Sequence, residues 1–121
     1  MEFKALAEEL KQSIDKACAI AGELLLLSHF PFSFVEKEEI FRLGGIIGEA
    51  FKLYLLANAI SSFELPQEEK KYLLQKVQEA IETMEDIRKI LEEREKIASE
   101  NVHRFFNTTP LYYFQGGSHG T

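Results

Sequence analysis

The chain has 121 residues, enough for one ordinary domain and no second core. Hydrophobic residues make up 45% and charged residues 28%, the balance of a soluble globular protein, and a net charge of −6 offers no basic footprint to nucleic acid or an anionic membrane. A single cysteine, Cys18, excludes an intrachain disulfide and a four-cysteine zinc site, which points to a reducing, cytoplasmic setting. Met1-Glu2-Phe3-Lys4 does not read as the start of a secretory signal, and no uncharged apolar run of about 18 residues is present to span a membrane.

Pro31, Pro66 and Pro110 punctuate the sequence. From Glu2 to His29, Phe3, Leu6, Leu10, Ile14, Ala17, Ala21 and Leu24 recur three or four apart, which predicts a helix. Its first half is amphipathic. Its second half, Ala19 to Leu27, is apolar nearly all round, with Ile20, Leu26 and Leu27 on the side opposite the core stripe. A helix apolar on every side needs cover on every side, so this half reads as a subunit interface.

The second helix is expected to begin where Ser33 and Glu36 have the spacing of a capping box, and to continue to about Ser62. Glu38, Arg42, Glu49 and Lys52 share one narrow polar stripe, with Glu38 and Arg42 spaced for an ion pair. The remainder is so apolar that this segment reads as the central helix. Gly44, Gly45 and Gly48 each cost ~1 kcal/mol relative to alanine in a helix interior, and close helix approach over a Gly44/Gly48 notch would compensate.

The third helix opens at Pro66, with Glu68 and Glu69 in the first turn, and runs to about Phe106. Glu85 with Lys89 and Glu92 with Lys96 are expected to pair, while Arg94 interrupts the apolar stripe. The first two helices come to roughly 42 Å each and the third to roughly 60 Å. The excess must bend back, end early or pack on another chain. Ser99-Glu100-Asn101 is the weakest helical stretch, and a break there would make residues 102–109 a short fourth helix. The fold class is therefore all-α, an antiparallel bundle of three long helices with a possible short fourth. Residues 1–106 form one bundle domain and residues 107–121 an aromatic and glycine-rich tail.

The sharpest chemical motif is Glu100-Asn101-Val102-His103, in which Glu-x-x-His sets a carboxylate and an imidazole on one helical face as carboxylate di-iron bundles do. Glu23 and Glu49 are the additional candidate ligands. Helical phase turns Glu100, His103 and Glu49 outward, and no second Glu-x-x-His exists, so a metal-binding bundle assembled across a dimer is the alternative, not the main reading. His29 suits the end of a helix, and Cys18 reads as inert packing. No phosphate loop, dinucleotide fingerprint or nucleophile elbow is present, and no catalytic or cofactor-binding residue is identified.

Phe30, Phe32, Phe34, Phe105 and Phe106 read as a core plug or, less plainly, as the lining of an apolar cleft. In the tail, Leu111, Tyr112, Tyr113 and Phe114 are four consecutive large apolar side chains that require cover, either on their own bundle or on a neighbour. The expected function is that of a non-enzymatic structural or interaction bundle without a cofactor. Its partner is itself, most simply as a dimer, or another protein, with no role for nucleic acid or membrane. The expected interface comprises Ile20, Leu26, Leu27 and Leu111 to Phe114.

Overall fold

Leu10, Ile14, Ala17 and Leu24 lie along one face of the first helix, and all four are buried. That helix, α1 (Glu2–Leu27), begins the computed structural model, which describes residues 2–61 and 63–108. A 3-10 turn at Pro31–Ser33 leads into α2 (Lys37–Ile60), and α3 (Gln67–Thr108) follows. The fold is all-α, and the described residues include no strand.

The core is a single cluster to which each helix contributes one stripe. Ile40, Leu43, Ile47, Ala50 and Ala57 come from α2, and Val77, Met84, Ile87, Leu91 and Ala98 from α3. The helix at the centre is α1, which packs along both others, whereas α2 and α3 touch each other much less. This corrects the expectation that the second helix is central. α2 is apolar over most of its surface, yet the described residues bury only one side of it.

α1 and α3 run in the same direction. The Ser13 hydroxyl donates to Glu85 at 3.2 Å, and Glu23 hydrogen-bonds Glu95, two contacts with the same sequence offset of 72 residues. The return helix α2 is antiparallel to both.

α3 outruns α1 by sixteen residues (42 against 26) without a break. The short fourth helix therefore does not exist as a separate element: Ser99, Glu100 and Asn101 are all helical. The excess is covered by the turn after α1. The rings of Phe32 and Phe105 stack at 3.8 Å and 6°, and Phe30 and Phe32 meet Phe106 edge-on at 6.0 and 6.1 Å. The Asn101 amide donates to the Ser33 carbonyl at 3.4 Å beside them.

The turn itself departs from the expected capping box. α2 begins at Lys37, its N-cap Glu36 makes no side-chain cap, and Ser33 belongs to the 3-10 turn. The Ser33 hydroxyl, almost fully buried, donates to the carbonyls of Leu27 (2.8 Å) and Phe30 (2.6 Å). Ser33 thus closes the end of α1 instead of opening α2, adding a second donor to the Leu27 carbonyl, which also accepts from the Phe30 N–H at 3.0 Å. Phe34 follows in the left-handed region, at φ 60° and ψ 36°, with its ring 78% exposed. His29 lies past the end of α1 and is exposed. At the start of α3 the Pro66 carbonyl accepts from the Lys70 N–H at 3.0 Å, and Glu68 and Glu69 occupy the first turn.

Two outcomes follow from this packing. Leu10→Ala, at a position with no exposed surface, removes a side chain from the middle of the cluster; chemical denaturation is expected to read a loss of about 2–5 kcal/mol. Phe34→Gly releases a left-handed conformation that costs an L-residue about 1–2 kcal/mol, and an exposed ring gives little back. Thermal melting is expected to show that variant more stable than the parent, by about 1 kcal/mol.

Candidate interaction surface

The outer face of α2 packs against none of the described residues of the core. Phe41, Gly44, Gly48, Phe51 and Leu55 recur at alternating intervals of three and four residues, so they form one stripe along the helix. Every one is exposed: Phe41 by 65%, Phe51 by 39% and Leu55 by 49%. Gly45 lies beside the stripe, and Leu56 continues its flank with 51% exposure. A Cβ added at Gly44, Gly45 or Gly48 would meet nothing within 4 Å. The notch expected to admit a neighbouring helix is present, but among the described residues no helix fills it.

Charged side chains border the stripe on one flank. Lys52 reaches Glu49 at 3.3 Å, with both side chains about three-quarters exposed, and Arg42 and Glu38 are exposed about two and three turns earlier. A second apolar groove opens farther along, where Leu53, Leu56 and Ile60 face Leu65, Tyr72 and Leu73 across the α2–α3 connection.

The interface expected on the second half of α1 divides. Leu26 is exposed by 68%, as its helical phase implies. Ile20 and Leu27 are half-buried and pack against the core, because α1 has neighbours on two sides and its apolar arc is correspondingly wide. Leu111, Tyr112, Tyr113 and Phe114 lie outside the described residues. The phenylalanine cluster is filled by its own rings: Phe30, Phe32, Phe105 and Phe106 touch one another, while Phe34 turns outward.

The candidate ligands do not converge. Glu100 and His103 are exposed on α3, where the imidazole Nε2 lies 2.9 Å from the Asn107 amide nitrogen. Glu49 pairs with Lys52 on α2, and Glu23 meets Glu95 between α1 and α3. Among the described residues no three His, Cys, Asp or Glu side chains gather into a group able to hold a metal ion. Cys18 is exposed, contrary to the buried packing role expected of it; partial desolvation and the Asp15 charge raise its thiol above the ordinary value, which disfavours the reactive thiolate.

Buttressing contacts lie elsewhere. The Arg94 guanidinium grips Glu39 with two hydrogen bonds, 2.9 and 3.3 Å, tying α3 to the first turn of α2. Those bonds, against some desolvation, hold the Glu39 carboxyl below its usual range. Arg88 bridges Glu85 (2.8 Å) and Glu92 (2.7 Å) in place of the expected Lys89 and Lys96 pairs, because one planar guanidinium spans both carboxylates. The Glu23–Glu95 contact has the opposite character. The hydrogen bond to Glu23, partial burial and the nearby negative charges raise the Glu95 carboxyl above its ordinary value.

No model of a known family, no curated protein and no solved structure matches the chain. Among the described residues no helix is long and apolar enough to cross a membrane.

The raised Glu95 carboxyl sets a sign. An acid with an elevated folded pKa binds its proton more tightly in the folded state, so its contribution is fully present below the unfolded pKa and is lost as pH rises through the folded value. Glu95→Gln is therefore expected to be more stable than the parent at neutral pH. Denaturation midpoints measured from pH 4 to 8 are expected to show the two proteins converging on the acid side; a variant weaker at pH 7 would show the pair to be favourable in its charged form.

Proposed function

We propose that the protein is a non-enzymatic helical bundle that works by protein–protein association, in the first place with itself, as a dimer. The observation that carries this reading is the outer face of α2, where Phe41, Phe51 and Leu55 stand exposed in one stripe beside three open glycines. Isolated exposed leucines are ordinary on a soluble protein, whereas a contiguous apolar stripe bordered by charges marks an interaction surface. Burial of a large apolar side chain is worth ~1.5–3 kcal/mol, so covering the half-exposed members of this stripe favours association by several kcal/mol before ordering costs. The net charge of −6 opposes it only weakly at physiological salt, where the Debye length is about 8 Å. A reducing compartment such as the cytoplasm suits a chain whose one cysteine is exposed.

Sedimentation equilibrium of the full chain is expected to show a monomer–dimer equilibrium between micromolar and millimolar concentration. Leu55→Lys replaces an apolar member of the stripe by a charge without touching the core, and is expected to shift that equilibrium at least tenfold toward monomer with unchanged helix content by circular dichroism. A parent chain that sediments as a monomer throughout the range would refute self-association.

A further inference from the structure

We infer that the second copy binds α2 against its own α2, antiparallel, with the two helices crossing closely over Gly44 and Gly48. This rests on the self-association proposed above and adds to it the surface, the direction and the register. Four of the five stripe positions are symmetric about Ile46, with Gly44 and Gly48 two residues to either side and Phe41 and Phe51 five, while Leu55 falls opposite Lys37 at the helix start. A two-fold axis through that level brings each Gly44 against Gly48 of the second copy and each Phe41 ring against its Phe51.

Charge selects the same arrangement. In an antiparallel pair related by a two-fold axis, the same flank of each helix meets its copy. The midpoints of Glu38 with Lys52 and of Arg42 with Glu49 both fall within one residue of Ile46. Glu38 therefore faces Lys52 of the second copy, and symmetry makes that pair twice, while Arg42 and Glu49 lie farther round the helix. A parallel pairing would set Glu38 beside Glu38 and Lys52 beside Lys52, like charge against like.

The glycines give the crossing its depth. Gly44, Gly45 and Gly48 have open space where a Cβ would stand, and a helix interior gains from alanine at each, so the described residues supply no reason for them. Small residues four apart let two helix backbones approach closely, which seats the flanking Phe41 and Phe51 rings across the pair. The exposed apolar part of the stripe is on the order of 300 Å² per protomer. That is below the roughly 800 Å² per partner of a standard stable interface, so the dimer is expected to dissociate in the micromolar range.

The full chain, in a Cys18→Ser background, tests direction and register together. A protein carrying Phe41→Cys, mixed with one carrying Phe51→Cys, is expected to be joined by a short thiol cross-linker, and neither is expected to cross-link to itself. Gly44→Leu with Gly48→Leu is expected to weaken the dimer at least about tenfold while the protomer keeps its helix content and gains thermal stability, because the added side chains meet open space. Glu38→Lys and Lys52→Glu are each expected to weaken the dimer roughly threefold or more, and the two together in one chain to restore it. A parent chain that stays monomeric would overturn both this inference and the function it rests on. A parent dimer that is indifferent to the leucines, or that cross-links Phe41→Cys to Phe41→Cys, would overturn the α2 pairing alone.

Discussion

α1 and α3 run in the same direction, and two parallel neighbours in one chain can be joined only by a segment that travels back along them. α2 is that segment. Its position is fixed by its ends, after Pro31–Ser33 and before Pro66, and it needs to bury one face to stay there. Ile40, Leu43, Ile47, Ala50 and Ala57 supply that face, and among the described residues nothing covers the other. The exposed stripe of Phe41, Phe51 and Leu55 follows from topology: a three-helix chain with α1 in the middle cannot surround its return helix.

The same parallel contact explains the end of the molecule. α3 starts beyond the beginning of α1 and continues past its end, since it is far longer. The overhang is held by residues that seem unrelated in sequence, with Phe30 and Phe32 from the turn gripping Phe105 and Phe106 and with Asn101 reaching the Ser33 carbonyl. Local strain at Phe34 accompanies that grip: the chain reverses there in the left-handed conformation immediately after the ring-bearing turn and immediately before α2.

The helices were legible in the sequence because each core stripe repeats at three and four residues, and the buried set of α3, from Val77 to Ala98, follows that repeat closely. The apolar character of α2 was legible too, but its meaning was not. Periodicity says that a face needs cover, and it does not say which molecule provides the cover, so the same residues read as a central helix and fold as a peripheral one. Ser33 misled for a different reason. A serine three residues before a glutamate can cap the helix that follows or close the one that precedes, and the choice depends on Leu27 and Phe30 lying within reach, a tertiary fact. Ile20 and Leu27 point away from the stripe of α1 by phase yet meet the core, because two neighbours widen the arc that a central helix can bury. Glu49, Glu100 and His103 turn outward by helical phase, and all three are exposed.

The register between α1 and α3 also governs how the chain reaches this fold. Helical bundles ordinarily fold fast because most of their contacts are close in sequence. Here the most extensive helix pair joins residues 72 apart, as Ser13 and Glu85 are, and it cannot form until α2 has doubled the chain back. The α1–α2 hairpin is the local step, and docking of α3 closes a long loop at an entropic cost that grows with its length. During that interval the hairpin exposes the face of α1 that awaits α3 as well as the outer stripe of α2. Topology thus gives this small all-helical protein a slower route, with a transient species whose stickiness depends on chain concentration.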